Sequence, residues 1–320
     1  MQITVVTPAF NAADTIADTI GSVLAQSHGD LRLVVVDDGS SDDTAAVAAG
    51  LGDPRLALLR QANAGVSAAR NRGAEAVESD AILFLDADDW LAPNALATLS
   101  ATLEAAPEAV AVVGRYATVA ASGESPCPAR YRPVPALRDM LPGLLVRNQF
   151  ANGGHVLIRR AAARRAGPFR TDIAYGEDWE FFARLALLGP FAFVLAREPL
   201  LFVRSRAEGA YRRLAADPAA FSPCMTAIFG NPDLLGRFGP GRLRAIRRCT
   251  EAENAWIIGR ECIRHGHVAK GRRWLARSLT AAPSPRRVAL LAAACLLPAL
   301  PPSWRGPFRA YGGQPSRSSG

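Results

Sequence analysis

Three clusters of residues in this chain have the types and spacing to handle a metal ion and a diphosphate. Asp86-Ala87-Asp88 directly follows the apolar run Ile82-Leu83-Phe84-Leu85. Two carboxylates at i and i+2 on the end of a buried strand suit a hard divalent cation. Mg²⁺ or Mn²⁺ takes only one or two ligands from protein and the rest from phosphate and water. An isolated Asp-x-Asp also serves as a solvated turn or a helix cap; the preceding strand and the following Asp89 and Trp90 favour the metal. Asp37-Asp38-Gly39-Ser40-Ser41-Asp42 closes a second apolar run. Ser41 or Asp42 can cap a helix there, while the Asp38 carboxylate can accept from a base N–H or a ribose O–H. The third cluster is Asn63-Ala64-Gly65, with Ala69-Arg70-Asn71 after it. Gly65 allows a close approach, and Arg70 can meet a diphosphate or form a surface ion pair.

The elements that must position these residues follow from periodicity. Apolar runs predict strands over residues 3–6, 31–36, 56–59, 81–85 and 110–113. Helical spacing predicts helices from a cap at Asp14 through Leu24, from Ser41 or Asp42 to about residue 51, and over 67–77, 93–105 and 179–188. Strands that alternate with helices and are apolar on both faces imply a mostly parallel, doubly wound α/β sheet. Ligands then bind at the carboxyl ends of the strands, where all three clusters fall. Residues 121–145 hold five prolines and are expected to be a loop, and residues 255–282 a helical hairpin turning at His265-Gly266-His267.

Charge is unevenly divided. Residues 1–120 hold 16 acidic and 6 basic residues, a net of −10; residues 121–320 hold 13 and 31, a net of +18. Of the 37 basic residues only Lys270 is a lysine. An acidic half beside a basic one suggests a metal site in the first and an anionic partner for the second. The arginines lack the aromatic interleaving of nucleic-acid binding, so no nucleic acid is expected. Residues 242–320 carry 15 basic and 3 acidic residues beside the apolar run 288–301. That combination suits either peripheral contact with an anionic membrane through residues 242–310 or a basic helical subdomain packed on the rest. The five scattered cysteines form neither a disulfide framework nor a zinc site, and the N-terminus reads as a strand, so a cytoplasmic location is expected, with the inner face of the cell membrane as its peripheral variant.

Taken together, the clusters resemble the inverting family 2 glycosyltransferases, which have the GT-A fold. The matching stretches are Thr7-Pro8-Ala9-Phe10-Asn11, Val36-Asp37-Asp38-Gly39-Ser40, Asn63-Ala64-Gly65 with Ala69-Arg70-Asn71, Leu85-Asp86-Ala87-Asp88-Asp89 and Gly176-Glu177-Asp178-Trp179-Glu180. The resemblance covers roughly residues 1–205. It implies that Pro8, Phe10, Asn11 and Asp38 hold the nucleotide, usually uridine diphosphate. Arg70 takes the family's helix arginine, Asp88 the metal, and Asp86 the ribose and metal. Of the acid pair Glu177-Asp178, the second resembles the catalytic base; Glu177 is the alternative. The implied reaction is metal-dependent inverting transfer from a nucleotide sugar to a carbohydrate or lipid-linked acceptor, in cell-surface polysaccharide or glycan assembly.

Two departures stand out. Phe202-Val203-Arg204-Ser205-Arg206 replaces the Tyr-Arg-x-His stretch of many members, with Arg206 where His is common. The Gln-x-x-Arg-Trp signature of processive synthases is missing. The rival readings are a sugar nucleotidyltransferase, which would show a Gly-rich phosphate loop after the first strand, and a non-catalytic nucleotide-sugar-binding protein. The expected organisation is a nucleotide-sugar-binding α/β region over 1–115, an acceptor-binding region over 116–240, a basic helical extension over 241–300 and a disordered tail over 301–320. His155 is expected either to line the acceptor cleft or to be structural, and Trp90 and Trp179 to be core or to stack on a sugar ring.

Overall fold

The computed structural model describes residues 1–76, 78–120, 137–205 and 217–296. Contacts divide the chain into two units, residues 1–144 with 148–205, and residues 145–147 with 206–320.

The strands of the first unit are β1 (Ile3–Ala9), β2 (Leu31–Asp37), β3 (Leu56–Arg60), β4 (Ala81–Phe84), β5 (Trp90–Leu91), β6 (Ala111–Val113), β7 (Tyr116–Ala120), β8 (Leu137–Arg138), β9 (Val156–Arg159), β10 (Phe191–Phe193) and β11 (Leu201–Ser205). The helices up to residue 188 are α1 (Ile16–Leu24), α2 (Thr44–Ala49), α3 (Val66–Glu75), α4 (Ala95–Glu104), α5 (Leu141–Val146), α6 (Arg160–Ala166) and α7 (Glu177–Leu188). Eight strands form one sheet in the order β3-β2-β1-β4-β9-β6-β10-β8, and β5-β11-β7 form a second. The first four strands of the large sheet are parallel; β9 runs antiparallel to both β4 and β6. This is the expected doubly wound, mostly parallel α/β sheet. Ile3, Val5, Leu33, Val35, Ala81 and Leu83 are fully buried in or near its core, as continuous apolar strands covered on both faces must be.

Register puts the clusters on one edge. Ala9 pairs with Asp37 and Val6 with Phe84, so the chain leaves β1, β2 and β4 along the same carboxyl edge of the sheet. β1 extends past the predicted residue 6 through Pro8. Ala9 O accepts from Asp38 N on the β2 side, so by alternation Pro8 faces the β4 side. There pairing has ended with Leu85 N donating to Val6 O, and the missing Pro8 N–H costs no ladder bond.

Helix starts differ slightly from expectation. The cap of α1 is Thr15 rather than Asp14. α2 begins at Thr44 with Asp43, rather than Ser41 or Asp42, in the cap position; the Asp43 side chain makes no cap bond, and Asp42 Oδ1 accepts from Thr44 N at 3.0 Å. Residues 137–138 and 141–145, expected within a loop, belong to β8 and α5; residues 121–136 lie outside the described residues. α3 lies close on the sheet at Gly73, where a Cβ would come within 2.3 Å of Val6 Cγ1.

The second unit is helical: α8 (Phe221–Phe229), α9 (Pro232–Arg264), α10 (Val268–Ala281) and α11 (Pro285–Cys295). α9 is kinked at Gly239, just before Pro240. α9 and α10 form the expected hairpin, with Gly266 in a left-handed turn conformation. Ser278 Oγ donates to Ala252 O at 2.7 Å across it, and Trp256, Ile263 and Leu275 of the hairpin form a core with Leu290 and Ala294 of α11. Among the described residues no helix is long and apolar enough to cross a membrane. The tail over 301–320 lies outside the described residues.

Candidate active site

Asp38 follows β2 and is buried, with both carboxylate oxygens engaged. Oδ1 accepts from Gln61 Nε2 at 2.7 Å and Ala64 N at 2.9 Å; Oδ2 accepts from Gly65 N at 2.8 Å. Asp38 therefore shapes the loop that launches α3. Three of about four acceptor positions on a carboxylate are used, which leaves roughly one for a ligand donor. Gly39 (φ 77°) and Gly65 (φ 89°) both sit at positive φ, which favours glycine. A Cβ on Gly39 would also approach Asn63 N to 2.8 Å. Beside this loop, Phe10 is 51% exposed and Asn11 takes a left-handed conformation. Asn11 Oδ1 accepts from Ser41 N at 2.9 Å, and Asn11 N donates to Ser40 Oγ at 3.0 Å, which locks the first motif to the second.

The turn after β4 is pinned through its backbone. Thr15 Oγ1 donates to Ala87 O (2.9 Å), Thr19 Oγ1 to Asp89 O (2.8 Å) and Arg204 Nε to Asp88 O (3.1 Å). Asp89 is buried beneath the turn, where Oδ1 accepts from Arg204 N at 2.9 Å and Oδ2 from Asn152 Nδ2. Burial first, then the charges of Asp86 and Asp88, push the Asp89 carboxyl up to about 8. Asn152-Gly153-Gly154 passes so close to β4 that a Cβ on Gly153 would lie 2.8 Å from Phe84 O. Asp86 and Asp88 are both half-buried.

Arg70 joins this turn to the second acid motif. Its Nη2 donates to Asp86 Oδ1 and its Nη1 to Glu177 Oε1, both at 2.9 Å. The guanidinium lies 5.3 Å from the Phe169 ring centroid, and its Nε is buried without a partner. Burial opposes the charge on Arg70, but Asp86, Glu177 and Asp178 outweigh it and raise its pKa. The surface ion pair is thus excluded: Arg70 is buried, at the centre of three carboxylates.

Asp178 stands in the first turn of α7, which buries Trp179, Phe181, Phe182 and Leu185. Its Oδ1 accepts from Trp179 N at 2.6 Å and its Oδ2 from Asn148 Nδ2 at 3.1 Å. Burial, then the Glu177 charge, push its carboxyl up to about 7, against the pull of Arg70 and the two donors.

Several expectations resolve as structural roles. His155 is buried, with Nδ1–H donating to Gly114 O at 2.9 Å, and burial lowers its pKa to about 4, so it is a neutral packing residue. Trp90 stacks on Phe202 at 5.5 Å and under Arg204, while Trp179 is core with its indole N–H on Leu144 O. Arg206 lies outside the described residues. Sequence reasoning missed Asn148, Asn152 and Phe169, which lie apart from the motifs they support.

Among the described residues no group of three or more His, Cys, Asp or Glu side chains is placed to hold a metal ion. Asp86 and Asp88 nonetheless fit Mg²⁺ or Mn²⁺ by donor chemistry, since such an ion completes its shell with phosphate oxygens and water.

A mostly parallel sheet that gathers an acid-bound loop, an Asp-x-Asp turn and a second acid pair at its carboxyl edge defines the GT-A type of α/β protein. The chain belongs to glycosyl transferase family 2, whose family model matches residues 4–171. It is 33% identical over 197 residues to the succinoglycan biosynthesis protein ExoU of Rhizobium meliloti, covering 57% of this chain and 56% of that one. It is 40% identical over 112 residues to the succinoglycan biosynthesis protein ExoO of the same organism, covering 35% and 32%. These matches span less than two thirds of those relatives. In fold it is similar to S. aureus TarS 1–349, with TM-score 0.61, 17% identity and coverage of 96% of this chain and 88% of that one. It is also similar to the mannosyltransferase PcManGT of Pyrobaculum calidifontis in complex with GDP-Man and Mn²⁺, with TM-score 0.58, 19% identity and coverage of 96% and 83%.

Proposed function

We propose that this chain transfers a sugar, with inversion, from a nucleotide-diphosphate donor to a hydroxyl of a carbohydrate or lipid-linked acceptor in cell-surface polysaccharide assembly. The observation that carries this reading is Arg70, whose guanidinium bonds both Asp86 of the first acid motif and Glu177 of the second. The loop of Pro8, Phe10 and Asn11, with Asp38, holds the nucleotide. Ionised Asp178 takes the acceptor hydroxyl proton as that oxygen bonds to the anomeric carbon, and the C–O bond to the diphosphate breaks with its electron pair on the leaving group. General base help of this kind is worth ~10²–10⁴-fold. Asp86 and Asp88 would hold Mg²⁺ or Mn²⁺, whose charge stabilises the diphosphate leaving group when bound. Arg70 keeps the two acid motifs in register.

Relatives named for succinoglycan biosynthesis support the polysaccharide role. TarS has been seen with UDP-GlcNAc and PcManGT with GDP-Man, so both nucleotides belong in the donor panel. The test is hydrolysis of a panel of UDP- and GDP-sugars with Mn²⁺. Turnover of at least one is expected. Binding without turnover of any, with water or with added sugar acceptors, would leave a non-catalytic nucleotide-sugar-binding protein.

Peripheral contact with an anionic membrane through residues 242–310 belongs to the same proposal. On α11 and at its C-cap the apolar Val288 (53% exposed) and Leu296 (57% exposed) are exposed along with Ala289 and Ala292, within the basic region. Shallow apolar insertion and charge attraction add at such a surface.

A further inference from the structure

We propose that Asn148 is a positioning residue for transfer, holding the Asp178 carboxylate in the one orientation from which it meets the acceptor hydroxyl. This rests on the reading of Asp178 as the base. Asn148 Oδ1 accepts from Phe150 N at 3.1 Å. An amide with its oxygen so engaged must turn its NH₂ the other way, and Nδ2 donates to Asp178 Oδ2 at 3.1 Å. The orientation of the amide is therefore set by the network.

The segment that bears Asn148 is anchored on both sides. Four residues earlier, Leu144 O accepts from the Trp179 indole N–H. Two residues later, the Phe150 ring packs against Phe182 at 4.6 Å and Phe191 at 6.0 Å. The Asp178 carboxylate is thus gripped at both oxygens, by Trp179 N–H from its own helix and by Asn148 from across the site. Each oxygen keeps one acceptor position for a substrate proton. A carboxylate with only its own backbone donor would rotate about its terminal torsion, which is broad.

The charged groups facing Asp178 are Glu177 on its own helix, which favours the protonated acid, and Arg70 on α3, which favours the carboxylate. Asn148 adds a neutral donor on the side of the carboxylate. Removing that donor shifts the balance toward the protonated acid, so the pH dependence of turnover separates a positioning role from a merely structural one.

Asn148→Asp keeps the side chain's size and the acceptor for Phe150 N but removes the NH₂. Asn148→Ser puts a shorter hydroxyl in place of the amide, which pulls the donor back from Asp178 Oδ2. The probe is hydrolysis of UDP-GlcNAc or GDP-mannose, whichever the wild type turns over, by the full chain with Mn²⁺. The expected result is kcat lower by ~10-fold or more near pH 7 with KM within ~2-fold, as for an interaction made in the transition state. The acid limb should move up by ~0.5–1 pH unit in Asn148→Ser and further in Asn148→Asp. An unmoved acid limb overturns the proposal, whether kcat is retained or falls together with Tm. Asp178→Asn, run alongside, tests the underlying reading separately: full activity there sinks the base, while an inactive Asp178→Asn beside an unaffected Asn148→Ser sinks only Asn148.

Discussion

Arg70 Nη1 donates to Glu177 Oε1 at 2.9 Å, across 107 positions of sequence. Because the same guanidinium also bonds Asp86, the start of α7 and the turn after β4 share one buried cation. Arg can make this double contact where Lys cannot, since its planar fork presents separate N–H groups to separate carboxylates. Arg70→Lys should therefore keep the charge and lose the bridge. Turnover is expected to fall at least ~10-fold with a lower Tm, because an acid in a partly buried site is left underpaired. Wild-type turnover by Arg70→Lys would show that the bridge is dispensable.

If Asp88 is a metal ligand, Asp88→Asn should abolish Mn²⁺-dependent donor binding while leaving the fold intact by circular dichroism. Calorimetric titration of the donor with and without Mn²⁺ measures this. Metal-dependent affinity equal to that of the wild type would remove Asp88 from the site.

The raised Asp178 carboxyl has opposite consequences for turnover and for stability. A base must be ionised, so kcat should rise with pH through about 7 and level off above it. The folded state, by contrast, holds a proton that the unfolded chain releases near pH 4. The stability contributed by that proton is full below this pH and is lost as pH rises through about 7. Comparing the pH dependence of Tm in wild type and Asp178→Asn isolates the effect, and the pH-dependent difference should vanish in the variant.

Gly73 sets the distance of α3 from β1. Gly73→Ala would put its Cβ 2.3 Å from Val6 Cγ1, in a core that must then shift. Overpacking of this kind costs ~1–3 kcal/mol, and it moves the helix that bears Arg70. A lower midpoint in urea together with reduced turnover is expected; unchanged values for both would mean that the sheet absorbs the methyl group.

For the membrane contact, Val288→Asp with Leu296→Asp should leave Tm near the wild-type value, because both side chains are more than half exposed. Sedimentation with phosphatidylserine vesicles is expected to drop in the double variant and at high salt. Equal sedimentation at all salt concentrations would end the membrane reading.

Local chemistry made the sheet and its motifs legible in the sequence. Strands buried on both faces leave continuous apolar runs, and those of β2, β3 and β4 are stopped by the polar residues that emerge at the carboxyl edge. The ordering of Asp38, Arg70 and Asp86 along that edge follows from parallel winding. Even the hairpin of α9 and α10 was readable, because its turn and its apolar spacing lie within one short stretch. Helix starts shifted by a residue or two, since neighbouring Asp, Ser and Thr compete for the same cap. What only the tertiary structure decided is partnership. Trp90 follows the Asp-x-Asp turn and suited either the core or a sugar ring, and its stacking partner is Phe202 of β11. Arg70 looked equally suited to a surface pair, yet it is buried beside Asp86 and Glu177. Asn148 bears no motif at all, and its amide matters only because α7 brings Asp178 within hydrogen-bonding distance. A side chain's type sets which bonds it can make, but burial and long-range packing choose the partner, and those depend on residues 16 to 107 positions away.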